Sequence, residues 1–240
     1  MLGHTHPLSL LAVLLLAATG CAGEPKTGKH LFILSGQSNM TGTLEQAFTA
    51  RVQARFGQAD AVVVMRMKSG RGIRFWLADY RPPADRSFSD RAMAENGSAY
   101  LPLIDAATRA HEQASFDTVG FIWMQGESDG LNGLSEVYKE SFEKLAEKLK
   151  KDLGRDDLYF VIARISDYGN DGPQGEHWRR VRHAQAALGQ TAGNAWVDTD
   201  DLNGGGADQP NGGLHYPREG AAALGQRLAE RAIDIIEQTP

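Results

Sequence analysis

The chain has 240 residues, 42% hydrophobic and 23% charged, which is long enough for one well-buried domain and unlike a disordered or coiled-coil composition. A formal net charge of -5 speaks against a general nucleic-acid binder, because surfaces that track phosphates carry a basic surplus. The single cysteine excludes an internal disulfide, so stability has to come from the core.

Residues 8–18 form an apolar stretch of signal-peptide length, too short to cross a bilayer comfortably, and Ala18-Thr19-Gly20-Cys21 follows it. Small residues before the one cysteine resemble a bacterial lipoprotein signal over residues 1–20. Two features depart from that pattern: the start has His but no Lys or Arg, and Ala18 stands where Leu is more usual. The expectation is an exported periplasmic or cell-envelope lipoprotein, held at a membrane only through a lipid on Cys21. Residues 21–29 then read as a tether, and residues 30–240 as the domain.

Apolar, β-branched runs predict strands over 30–35, 61–67, 118–124, 158–165 and 195–198. Helical spacing predicts helices over 101–114, 135–153, 177–188 and 218–237. The clearest is 135–153, where Tyr138, Phe142, Leu145, Leu149 and Leu153 share one face and Glu and Lys fill the other. Strands alternating with helices imply parallel pairing through right-handed crossovers, and the near-continuous run Ala61-Val62-Val63-Val64-Met65 implies burial on both faces. The expected fold is therefore an α/β domain in three layers. Pro82-Pro83 and residues 203–213 read as loops of functional length.

Polar clusters stand just beyond three strand ends: Gly36-Gln37-Ser38-Asn39, Ser69-Gly70-Arg71-Gly72 and Gln125-Gly126-Glu127-Ser128-Asp129. A fourth, Gly213-Leu214-His215-Tyr216, precedes the last helix. In an open α/β sheet ligands bind outside the carboxyl ends of the strands, so one sheet edge would gather all four. Ser38 is the candidate nucleophile there, with a helix-capping turn as its plainer reading. A serine hydroxyl needs a base, and His215 is the histidine placed at this edge; His111 and His183 fall on helices. Ester hydrolysis also needs donors for the oxyanion, which the backbone of Ser38 and Gly70 with the amide of Gln125 or Asn39 can supply. Neither a Gly-Lys-Ser/Thr ending nor a Gly-x-Gly-x-x-Gly spacing occurs, so no nucleotide loop is indicated.

Gly36-Gln37-Ser38-Asn39-Met40, Gly70 with Ile73 and Trp76, Trp123-Met124-Gln125-Gly126-Glu127-Ser128-Asp129, and Leu214-His215-Tyr216 with Gly220 and Leu224-Gly225 together resemble the sialate O-acetylesterase domain. That domain is a carbohydrate-esterase branch of the SGNH hydrolases. The resemblance runs over about residues 31–232. It implies a flavodoxin-like sheet of five parallel strands and a serine mechanism, without metal or cofactor, that removes acetyl groups from sugars. On the matching positions, Ser38 is the nucleophile, His215 the general base, and Ser38, Gly70 and Gln125 the oxyanion donors.

The chain departs from the wider superfamily at the acid, since Gly213 and Gly212 stand two and three residues before the histidine where Asp is usual. A carboxylate that fixes the imidazole must then come from elsewhere. Glu127 is favoured because a strand end holds a side chain more firmly than a loop does, and Asp208 in the Gly-rich loop is the rival. Arg71 and Arg74 could pair with a sugar carboxylate, and Trp76 could stack on a ring. The alternatives to a carbohydrate O-acetylesterase are a lipid or aryl esterase or thioesterase of the same superfamily, and a glycan-binding lipoprotein that has lost turnover.

Overall fold

The computed structural model describes Met1 and residues 27–204 and 213–238. The signal-like segment, Cys21 and Asp208 lie outside the described residues. In chain order the elements are β1 (His30–Gly36), α1 (Gly42–Phe56), β2 (Ala61–Met67), α2 (Asp90–Met93), α3 (Tyr100–Glu112), β3 (Thr118–Met124), α4 (Glu127–Leu131), α5 (Tyr138–Leu153), β4 (Tyr159–Ala163), α6 (Gly175–Gly189), β5 (Ala195–Val197) and α7 (Arg218–Gln238). Short 3-10 turns occupy Ile73–Trp76, Ser135–Val137 and Asp167–Gly169.

All strand pairs are parallel and the order is β2-β1-β3-β4-β5, so the chain reverses its direction of travel across the sheet after β2. Helices α1 and α7 pack together on one face, and α3, α5 and α6 follow one another across the other. This is the expected three-layer architecture. Leu31, Phe32, Ile33 and Leu34 of β1 and Phe121, Ile122, Trp123 and Met124 of β3 are fully buried because these strands are central and covered on both faces.

Two expectations change. β2 reads as a strand buried on both faces, yet Val62, Val63, Val64 and Met65 are only half-buried and Arg66 and Met67 are exposed. It is an edge strand, with one side unpaired, and its carboxyl end is the more exposed. The segment 135–153 begins as a 3-10 turn and becomes α-helical only from Tyr138. Helix α1 adds an element that the apolar spacing did not bring out. Thr41 accepts from the Leu44 N–H at 3.2 Å to cap it, and Leu44, Phe48 and Val52 form its buried stripe.

Candidate active site

β1 and β3 lie side by side and end in register, Gly36 opposite Met124, so the polar residues that follow the two strands meet. Gly36 makes this junction close. Its φ is +148°, and its neighbour Gln37 donates its N–H to the Met124 carbonyl at 2.9 Å. The Met40 N–H returns to the Gln37 carbonyl at 2.9 Å, which leaves Ser38 and Asn39 as the two central residues of a tight turn. Ser38 is half-buried, with Oγ 2.9 Å from Nε2 of His215, 177 positions along the chain. For that nitrogen to take a proton it must carry the lone pair, which puts the ring proton of the neutral histidine on Nδ1.

Beneath this pair runs a buried polar layer. Gln125 Nε2 donates to Asp129 Oδ2 at 2.5 Å and lies 3.2 Å from both Gln37 Oε1 and the Arg71 carbonyl. Asp129 Oδ2 also accepts from the Ile73 N–H at 2.9 Å, and Gln37 Oε1 from the Ser128 N–H at 3.2 Å. Three strand ends and the 3-10 turn at Ile73–Trp76 are thereby tied together. The Gln125 amide expected to face an oxyanion is committed to this layer, where it braces the loops.

Asn39 belongs to the same layer. Its Nδ2 donates to Glu127 Oε1 at 2.6 Å and to the Leu214 carbonyl at 3.0 Å, while its Oδ1 accepts from the Tyr216 N–H at 3.2 Å. The expectation that Glu127 orients His215 directly is not what the geometry gives. Its Oε1 is taken by Asn39, and its Oε2 makes no hydrogen bond among the described residues. Asp208, the rival acid, lies outside those residues.

Above the layer, Gly70, Arg71, Gly72, Arg74, Phe75 and Arg86 help to wall a cavity of about 420 Å³. Gly70 has φ +66° and open space where a Cβ would stand, so its backbone faces the cavity unobstructed. Arg71 is exposed, with its guanidinium 4.9 Å from the Phe75 ring centre. Arg74 is pinned into the wall, donating to the Ala92 carbonyl at 2.6 Å and to Asn96 Oδ1 at 2.8 Å. Trp76 cannot stack on a sugar ring. It is fully buried against Trp123, ring centres 5.0 Å apart and nearly perpendicular, and its indole N–H donates to Ser35 Oγ at 3.0 Å. Arg86, which no local motif marks, joins the wall from the loop after Pro82-Pro83. A larger cavity, about 680 Å³, lies along β5 between Trp196 and Arg227 and shares no residue with this site. Among the described residues no group of three or more His, Cys, Asp or Glu side chains is close enough to hold a metal ion.

Burial raises both carboxyls of the layer, Glu127 to about 7 and Asp129 to about 6, against the partial relief of their hydrogen bonds. The folded chain therefore keeps protons that the unfolded chain, with ordinary carboxyls near pH 4, has released. Stability from these groups is full below that range and is lost as pH rises through their folded values. His30, lowered by burial, contributes in the opposite sense, so the test compares variant with wild type. The wild-type melting temperature is expected to fall from pH 5.5 to pH 8 relative to Glu127→Gln. Parallel pH profiles of the two by differential scanning fluorimetry would remove Glu127 from this account.

A family model described as carbohydrate esterase, sialic acid-specific acetylesterase, matches residues 44–234, a match that begins after Ser38. No curated protein matches the sequence. Among solved structures, a protein from Arabidopsis thaliana superposes with a TM-score of 0.64 at 18% identity, covering 89% of this chain and 100% of that one. XAC1771, described as a novel carbohydrate acetylesterase from Xanthomonas citri, gives 0.60 at 18% identity over 88% of this chain and 57% of its own. NanS gives 0.59 at 12% identity over 89% and 98%. These likenesses, all below 25% identity, show the fold alone: a five-stranded parallel sheet between two layers of helices. With the family model spanning most of the sequence, the chain belongs to the carbohydrate esterase family of sialic acid-specific acetylesterases.

Proposed function

We propose that the protein removes O-acetyl groups from carbohydrates through an acetyl-enzyme on Ser38. The observation that carries this reading is the 2.9 Å contact between Ser38 Oγ and His215 Nε2. In the first half-reaction His215 takes the Ser38 proton as Oγ attacks the acetyl carbonyl. The N–H groups of Ser38 and Gly70 hold the oxyanion, and the sugar hydroxyl leaves with the proton from His215. Water, deprotonated by the same histidine, then attacks the acetyl-enzyme, and acetate departs from a regenerated Ser38.

Three guanidinium groups and two phenylalanine rings in the cavity wall suit a sugar that carries a carboxylate, such as a sialic or uronic acid. An acyl-chain pocket would be walled by aliphatic side chains, so the same lining argues against a lipid or thioester substrate. An intact Ser38–His215 contact argues against a pure binding protein. The signal-like start ending at Cys21 supports export to the cell envelope, where large acetylated glycans would be met.

The double substitution Arg71→Ala with Arg86→Ala is expected to raise KM for an O-acetylated sialic acid by about tenfold or more, while KM for p-nitrophenyl acetate stays within about twofold. Steady-state kinetics on the two esters provides the check. Equal changes on both would mean that the arginines do not read the carboxylate.

A further inference from the structure

His215 is bracketed by hydrogen bonds on both sides. The residue before it gives its carbonyl to Asn39 Nδ2 at 3.0 Å, and the residue after it gives its N–H to Asn39 Oδ1 at 3.2 Å. One side-chain amide thus holds the backbone of three consecutive residues in the way a neighbouring strand would. The pattern also settles which end of the amide is which, because two acceptors face the nitrogen and one donor faces the oxygen.

Asn39 is itself aimed by Glu127. The 2.6 Å bond from Nδ2 to Oε1 joins two fully enclosed groups, 2% exposed in each case, and Glu127 opens α4 at the carboxyl end of β3. Asn39 is also the residue next to Ser38, so nucleophile and base are set by adjacent positions of one turn: Ser38 touches the imidazole and Asn39 carries the backbone behind it. Tyr216 extends the brace on the far side, its hydroxyl donating to Thr199 Oγ1 at 3.0 Å.

We infer that Asn39 and Glu127 are positioning residues of the esterase reading proposed above: Glu127 fixes Asn39 by accepting its N–H, and Asn39 fixes His215 through the backbone on either side. Glu127 then acts as a hydrogen-bond acceptor, in which role a neutral amide oxygen can replace it. A carboxylate that stabilised the imidazolium by its charge could not be replaced in that way.

The experiment compares Asn39→Ala, Glu127→Ala and Glu127→Gln with wild type, each first shown to fold by its melting curve. Three readouts are taken: kcat and KM on p-nitrophenyl acetate across pH, the rate of Ser38 phosphonylation by a fluorophosphonate, and amide hydrogen exchange at Tyr216. Misplacing a catalytic group by about an ångström costs on the order of a hundredfold. Asn39→Ala and Glu127→Ala are therefore expected to lose about 30-fold to 100-fold in kcat and in phosphonylation with KM nearly unchanged, and to expose the Tyr216 amide to faster exchange. Glu127→Gln is expected to stay within about threefold of wild type, because the acceptor survives. The apparent pKa of its ascending limb should move by less than about half a unit.

If Glu127→Gln fails as badly as Glu127→Ala, or its limb shifts by a full unit, Glu127 works by charge and the inference is overturned. It is overturned equally if Asn39→Ala leaves Tyr216 exchange and Ser38 reactivity at wild-type values. Absence of Ser38-dependent turnover in the wild type would defeat the esterase reading alone, and Tyr216 exchange would still decide the brace.

Discussion

Ser38→Ala is expected to reduce acetate release by about ten-thousandfold or more, the scale on which removal of a serine nucleophile disables a serine hydrolase. The loss should extend to every ester the wild type accepts, because in the proposed mechanism Oγ is the atom that forms the acyl bond. Stability should barely change. Ser38 is half-buried at the corner of a turn whose closing bonds, Gln37 N–H to Met124 O and Met40 N–H to Gln37 O, are backbone to backbone and do not involve its hydroxyl. The measurement is acetate release from p-nitrophenyl acetate, an acetylated xylan and an O-acetylated sialic acid, with wild type and variant at matched melting temperature. Activity that survives the substitution on all three would remove Ser38 from the mechanism, whereas no release by the wild type on any of them would leave the binding reading to be pursued.

Gly36→Ala is expected to be worse for the fold than any substitution in the catalytic pair. A Cβ there would stand 1.9 Å from the Met124 carbonyl oxygen and 2.6 Å from its carbon, both backbone atoms of the adjacent strand that cannot swing aside. The φ of +148° adds strain for any residue with a side chain. Since β1 and β3 are the two central neighbours in the sheet, the strands must separate where the site is built. A loss of more than about 4 kcal/mol, enough to abolish a folded population in many domains of this size, is the expected result of urea denaturation. Gly70→Ala makes the contrast. Its Cβ would meet open space, so only the left-handed backbone at φ +66° opposes it, at about 1–2 kcal/mol.

The five strands were legible because each carries a local run of β-branched or aromatic residues, and their alternation with helices fixed the class. Helix α1 was less so. Leu44, Phe48 and Val52 recur every four residues but are outnumbered by the polar residues between them, and their full burial comes from tertiary neighbours that a local pattern does not contain: Phe48 meets Phe32 of β1, ring centres 5.4 Å apart, and α7 packs alongside. The partnership of Ser38 and His215 could be expected from the chemistry of strand ends, since both had to reach the same sheet edge. Trp76 follows two arginines at a loop, which leaves a stacking platform and a core aromatic equally open, and only Trp123, on a strand 47 positions later, shows that the ring turns inward. Glu127 bonds Asn39, a partner set by the register of β1 on β3, and a motif does not state register.

The direct packing of α1 on α7 has a consequence for how the protein comes into being. Gly225 allows the two helices to approach backbone to backbone, a Cβ at that position falling 2.4 Å from the Leu44 carbonyl oxygen. Ser38 sits just before the first of these helices and His215 just before α7, so the contact proposed to do the chemistry joins an early and a late part of the fold. No chain that still holds His215 and α7 in the ribosome can assemble the Ser38–His215 contact. Contacts of such long sequence separation form late and slowly. Hydrolysis, once it begins, thus reports that the whole domain has closed.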